Sequence, residues 1–135
     1  MNALALLAAG AASAAVWSHG LVGHRWFVMQ LGSLELQPTK PWGDADVTRR
    51  VFAAAWHIVT ALFAVSAVTL YLAAFEAFES DALLRFISIV YASSLAIGLL
   101  YVGTRLETVK RPFAQLVVAG LLCVSVFAWL AQVGL

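Results

Sequence analysis

Four stretches of this chain contain no Asp, Glu, Lys or Arg: residues 1–24, 51–75, 86–104 and 112–135. Each is at least 19 residues long. A helix rising ~1.5 Å per residue crosses the ~30 Å hydrocarbon layer of a bilayer in about 20. The sequence therefore predicts an all-α protein, a four-helix transmembrane bundle with spans near residues 2–23, 49–75, 83–105 and 112–133. Residues 1–135 then form a single integral membrane domain. The chain is 63% hydrophobic and 11% charged, with a mean hydropathy of +0.92. So little polar surface cannot enclose the apolar residues in water, which makes the lipid bilayer the first partner. What the spans leave over is a first loop across residues 25–50 and two short ones, with no room expected for a soluble catalytic domain. A net charge of +1 with no continuous basic stripe excludes nucleic acid as a partner.

The charges that do occur orient the chain. Arg25, Lys40, Arg49 and Arg50 fall in the first loop, Arg85 in the second, and Arg105, Lys110 and Arg111 in the third. Short loops rich in Lys and Arg stay in the cytoplasm. The first and third loops are thus expected inside, giving an up-down-up-down path with both termini on the outer face. The corresponding location is a bacterial inner membrane, multi-pass, with periplasmic N- and C-termini. Asp44, Asp46 or Thr48 is placed to cap the second helix and Ser80 or Asp81 the third, while Pro112 suits the first turn of the fourth. Trp26, Trp42 and Trp129 fall where indoles anchor at headgroup level. The run Trp26–Leu36 is apolar but too short to span, which fits either a surface-lying or re-entrant piece or an irregular loop. The alanine-rich N-terminus imitates a secretory signal but lacks a basic start, so it reads as a retained first span. Cys123, the single cysteine, reads as a small apolar residue within the fourth run.

Three histidines are the candidate chemistry. Counted inward from Arg25 and Arg50, His19 and His57 lie ~9 and ~10 Å along their helices and so come out level, facing one another if the first two helices are neighbours. Facing imidazoles at that depth suit several cofactors: a b-type haem held from both sides, a quinone held by hydrogen bonds, or a transition metal with His24 as third ligand. They also suit a plain packing role, each ring bonded to the opposite helix or a backbone carbonyl. Two strips of small residues are expected to meet: Ala8, Ala12, Ala15 and His19 on the first span, and Ala53, His57, Thr60 or Ala61, Ala64, Ala67 and Tyr71 on the second. Ser88, Ser94, Gly98, Gly120 and Ser125 continue that interior on spans three and four. The four uncharged runs hold no Asp, Glu, Lys or Arg, groups that ion pumps and voltage sensors ordinarily need within the membrane. No His-Glu-x-x-His, Gly-x-Ser-x-Gly or Gly-rich phosphate loop occurs, so no catalytic residue is assigned.

Trp17-Ser18-His19-Gly20-Leu21-Val22-Gly23-His24-Arg25, then Thr48-Arg49-Arg50-Val51 and Trp56-His57, resemble a group of small four-helix bacterial inner-membrane proteins of about this length. The group's pattern is a His closing span one, a Gly and usually a Glu a few residues later, and a Trp-His pair on span two; here His24 stands in place of the Glu. The resemblance covers mainly residues 17–60 and implies the four-helix architecture and the importance of His19 and His57, but no activity. The expectation for function is a non-enzymatic accessory or scaffold subunit of a larger membrane protein complex. The alternatives are a bis-histidine haem b or quinone protein centred on His19 and His57, and small-solute or proton transport.

Overall fold

The computed structural model describes residues 1–33, 45–77, 79–102 and 112–134. Among these the chain is all-helical, without strands, and its four long helices are α1 (Ala3–Trp17), α2 (Ala45–Ala74), α3 (Asp81–Val102) and α4 (Pro112–Gln132). The first continues through a π-helical turn, Ser18–Gly23, a short α turn, His24–Trp26, and a 3-10 turn, Val28–Ser33. Ala3–Leu31, Ala45–Ala74 and Asp81–Leu100, of 29, 30 and 20 residues, are long and apolar enough to cross a membrane. In α4 the described apolar stretch, Val117–Gln132, is shorter.

Helix α1 is the hub. It packs along α2 on one side and α4 on another, and α3 leans chiefly on α4. Its contact surface is Ala5, Ala8, Ala9 and Ala12, all fully buried. Lipid chains are as apolar as leucine, so helices in a bilayer gain little by hiding oily side chains from them. They gain by close approach, which small side chains permit. The rest of the core comes from Ala67, Leu70, Ala73 and Ala74 of α2, Leu84, Ile87 and Tyr91 of α3, and Val124, Ala128 and Ala131 of α4. Between α2 and α3, whose direct contact is slight, Phe63 reaches Tyr91 with ring centroids 5.7 Å apart. Ser88 and Ser125 close the α3–α4 seam reciprocally, each hydroxyl donating to the other residue's carbonyl at 2.8 and 3.1 Å.

The small-residue strips meet only in part. Ala8, Ala12 and Ala67 are buried, but Ala61 and Tyr71 are exposed, and Leu70, Ala73 and Ala74 take the inner positions of α2. Ser94, expected inside, is exposed and donates back to the Val90 carbonyl at 2.8 Å, the local alternative open to any helical serine. Outward faces carry large apolar side chains: Phe52, Ile58, Leu62, Val65, Val68 and Leu72 on α2, Phe86, Ile89, Ile97 and Leu100 on α3, Leu122 and Val126 on α4. Patches of this extent suit hydrocarbon and not water, as in a multi-pass membrane protein.

The helix ends are tied together at one end of the molecule. Asn2 caps α1, its side-chain oxygen accepting from the Leu4 and Ala5 amides at 3.1 Å each. The Asn2 backbone amide donates to Ala74 O at 2.9 Å, and its side-chain nitrogen to Ala131 O at 3.1 Å. The start of α1 thereby holds the last turns of both α2 and α4. The Met1 ammonium pairs with Glu76, which sits at φ 56°. There Glu76 N bonds Ala73 O and Ala77 N bonds Leu72 O, both at 3.0 Å, a Schellman ending that uses the left-handed conformation of Glu76 to satisfy carbonyls of α2. At the same end Arg85 lies 5.7 Å from the Trp129 ring. Asn2 and Glu76 were not among the expected capping residues. Of those that were, Asp46 and Thr48 lie inside α2, Asp81 opens α3 with Ser80 O accepting from Leu84 N at 2.8 Å, and Pro112 opens α4. Asp44 and Trp42 lie outside the described residues.

Two outcomes follow from this packing. Ala9→Leu forces a branched side chain into the α1 seam and is expected to destabilise the protein by about 1–3 kcal/mol, read as a lowered unfolding midpoint in detergent. The Met1 ammonium, by hydrogen bond and then by charge, holds the Glu76 carboxyl below its ordinary value. A carboxylate depressed in the folded state stabilises fully above its unfolded pKa and loses that contribution as pH falls through the lower, folded one. Thermal melting is therefore expected to show a small advantage of wild type over Glu76→Gln at neutral pH that shrinks below about pH 4, and that is weaker in high salt because the pair is exposed.

Candidate functional site

The Ser18–Gly23 turn decides where the histidines go. Five residues along an α-helix turn through ~500°, leaving residues 19 and 24 some 140° apart. A π turn bonds each residue to the fifth along, so the same five residues complete roughly one turn. His19 and His24 are thereby both directed toward α2. The cause is non-local. The Trp56 indole N–H donates to the His19 carbonyl at 3.0 Å, and a side chain entering the backbone ladder in this way is a recognised origin of such distortions. Trp56 lies between two rings, stacked on His19 at 3.9 Å and 10° and on Phe27 at 4.7 Å and 27°.

Glycines make the space. A Cβ on Gly20 would stand 2.9 Å from Thr60 Cγ2, and one on Gly23 would run into the Trp56 ring. His19 completes the latch: its Nδ1 lies 2.9 Å from Thr60 Oγ1, and Phe63 meets its ring edge-on at 5.4 Å. Thr60 also donates to the Trp56 carbonyl at 3.2 Å. With that hydroxyl proton used, the His19 nitrogen is the donor to Thr60.

Where the sequence reading set His19 opposite His57, the ring contacts observed are His57 with His24 and His19 with Trp56. Arg49 Nε donates to the Leu31 carbonyl at 3.1 Å, so the start of α2 is level with Leu31 and not with Arg25. The chain between them continues as helical turns in place of leaving the bundle. His19 accordingly sits level with Thr60, about one turn past His57, and the ring that meets His57 is His24, centroids 5.2 Å apart at 37°. Among the described residues no three His, Cys, Asp or Glu side chains gather as a metal-holding group. His24 and His57 come together; His19 is engaged elsewhere.

His24 Nδ1 is buried without a hydrogen-bond partner, and His57 makes no side-chain hydrogen bond among the described residues. His57 opens onto a groove of about 270 Å³ between α1 and α2, lined by Val16, Trp17, Gly20, Leu21, His57 and Thr60. Trp56 and Gly23 are the residues sequence reasoning did not weigh as parts of the site. Their signal was a pair of glycines three apart on one span and a Trp-His dipeptide on the next.

Comparison with known protein families, with characterised proteins and with solved structures finds no match to this chain.

Gly23→Ala is expected to displace the Trp56 indole and destabilise the protein by about 1–3 kcal/mol. Trp56→Phe keeps a ring but leaves the His19 carbonyl without its donor, for about 0.5–1.5 kcal/mol. If the two residues act on one contact, Gly23→Ala in a Trp56→Leu background costs clearly less than in the wild type, as read from a double-mutant cycle of unfolding midpoints.

Proposed function

We propose that this chain is an accessory or scaffold subunit of a larger complex in the bacterial inner membrane, crossing the bilayer four times, up-down-up-down, with both ends on the outer face. The observation that carries the reading is the condition of α2. It is 30 residues long, grips α1 along one side, and barely touches α3. Its other sides present Phe52, Ile58, Leu62, Val65 and Val68, with a shallow groove at Ala64, Val65, Val68 and Thr69. A long apolar helix held along one edge offers shape to another membrane helix, and small residues beside larger ones are what such an interface uses. His19, engaged with Thr60 and Trp56, acts here as a structural fastener for the α1–α2 pair.

The path through the bilayer rests on the uneven division of Lys and Arg, seven in loops one and three against one in loop two. It is supported by three contacts that run in opposite sequence order, Asn2 with Ala74, His19 with Thr60 and Leu31 with Arg49, and by the tie of Asn2 to Ala131.

Purification in mild detergent from the native membrane is expected to bring a stoichiometric membrane partner. A photo-crosslinking residue at Val65 is expected to capture that partner, and the same probe at Leu122 of α4 to capture it much less. Recovery of a lone chain, with Val65 crosslinked only to lipid under conditions that preserve other complexes, contradicts the reading.

A further inference from the structure

We infer that the groove beside His57 is a lateral binding site for a lipid-soluble quinone or its quinol, with the His57 imidazole hydrogen-bonding the ring oxygen and His24 behind it. The inference needs only that α1 and α2 lie in a bilayer, and stands apart from the identity of any protein partner.

Three observations converge on this class of ligand. The first is position. His57 lies seven residues from Arg50 and so ~10 Å along the helix from that basic boundary, within the acyl region and below the phospholipid headgroups. A ligand arriving there comes through hydrocarbon. The second is the lining. Val16, Leu21 and Trp17 are apolar or aromatic, Gly20 keeps the floor low, and the Thr60 hydroxyl is already committed to Trp56 O and His19. This leaves one imidazole as the polar group, with no charged residue to balance a phosphate or carboxylate. A mostly apolar pocket with a single placed polar group orients a flat, neutral ring that carries an oxygen. The groove's volume of about 270 Å³ suits one such ring, its isoprenoid tail lying along the exposed flank of α2; a porphyrin is far larger. The third is unsatisfied bonding capacity. Buried polar atoms in folded proteins are nearly always paired, yet His24 Nδ1 is buried without a partner, and its ring abuts His57. Neutral imidazole is both donor and acceptor. His57 can therefore donate to a quinone carbonyl or accept from a quinol hydroxyl. His19, by contrast, is held by Thr60, Trp56 and Phe63 and takes no part.

The test uses the full chain in nanodiscs of zwitterionic phospholipid, with histidine ring nitrogens labelled with 15N and decyl-ubiquinone as the titrant. Retained helix content is checked first by circular dichroism, so that failure to insert is read separately from failure to bind. The expected result is a saturable shift of the His57 ring nitrogens with the His19 signals unmoved, and no shift with decylbenzene, which has the tail but no ring oxygen. Leu21→Trp, which fills the groove from an exposed position, is expected to weaken the titration at least tenfold; Val16→Phe serves the same purpose should the first variant lose its helix content. His57→Leu is expected to abolish saturable uptake of the quinone measured by extraction and chromatography. The proposal is overturned by a linear titration indistinguishable from decylbenzene, by equal movement of all three histidines, or by unweakened binding in both groove-filling variants. A His57 shift that follows replacement of the phospholipid headgroup, and not addition of quinone, also overturns it and assigns the groove to lipid.

Discussion

Helices surrounded by lipid are given no hydrophobic reward for touching one another, so whatever holds this bundle must act at short range. The short-range device is the alanine face of α1. Ala5, Ala8, Ala9 and Ala12 put only methyl groups at the centre of the α1 contact surface, and α2 and α4 close on it from two sides. Because α3 rests mainly on α4, the other three helices depend on α1 directly or at one remove. Polar bonds then fix register where alanine, being featureless, cannot: Asn2 at one end, His19 with Thr60 and Trp56 midway, Arg49 with Leu31 at the other. Such bonds in membrane proteins are individually modest, averaging ~0.6 kcal/mol. Their importance is in choosing one sliding position among several of similar packing energy.

The π turn connects that packing to chemistry. An undistorted α1 would direct His24 away from α2 and out of contact with His57. With the turn in place, one histidine fastens two helices and the other two meet ring to ring. The same glycines serve both ends, since Gly23 admits the indole that holds the distortion and Gly20 admits Thr60 while flooring the groove. Packing and candidate site are therefore one structure: a change that straightens α1 removes the His24–His57 contact without touching either ring.

The course of the chain through its helices was legible in the sequence because hydropathy is additive and local. Runs without charge became helices, and charged residues fell at their ends. The helix α2 includes residues 45–48 ahead of the uncharged run, and its first turns carry an exposed Asp46–Arg50 pair at 2.8 Å, one helical turn apart. The first span runs past residue 23 because residues 24–33 remain in helical turns. The histidine register was not legible. Counting from Arg25 and Arg50 assumed that both mark one plane, whereas the bond from Arg49 goes to Leu31. Nor can a π turn be read from Ser18–Gly23 alone, since what holds it is an indole 37 residues away in the chain.

The central claim is that the beginning of α1 grips the ends of α2 and α4 at once. Its most direct test is solid-state NMR of the protein in bilayers, measuring dipolar couplings from the two nitrogens of Asn2 to the carbonyl carbons of Ala74 and Ala131. The structure places these nitrogens 2.9 and 3.1 Å from the respective carbonyl oxygens, so both couplings are predicted in the same sample. Loss of either one in a preparation whose helix content is intact would contradict the account.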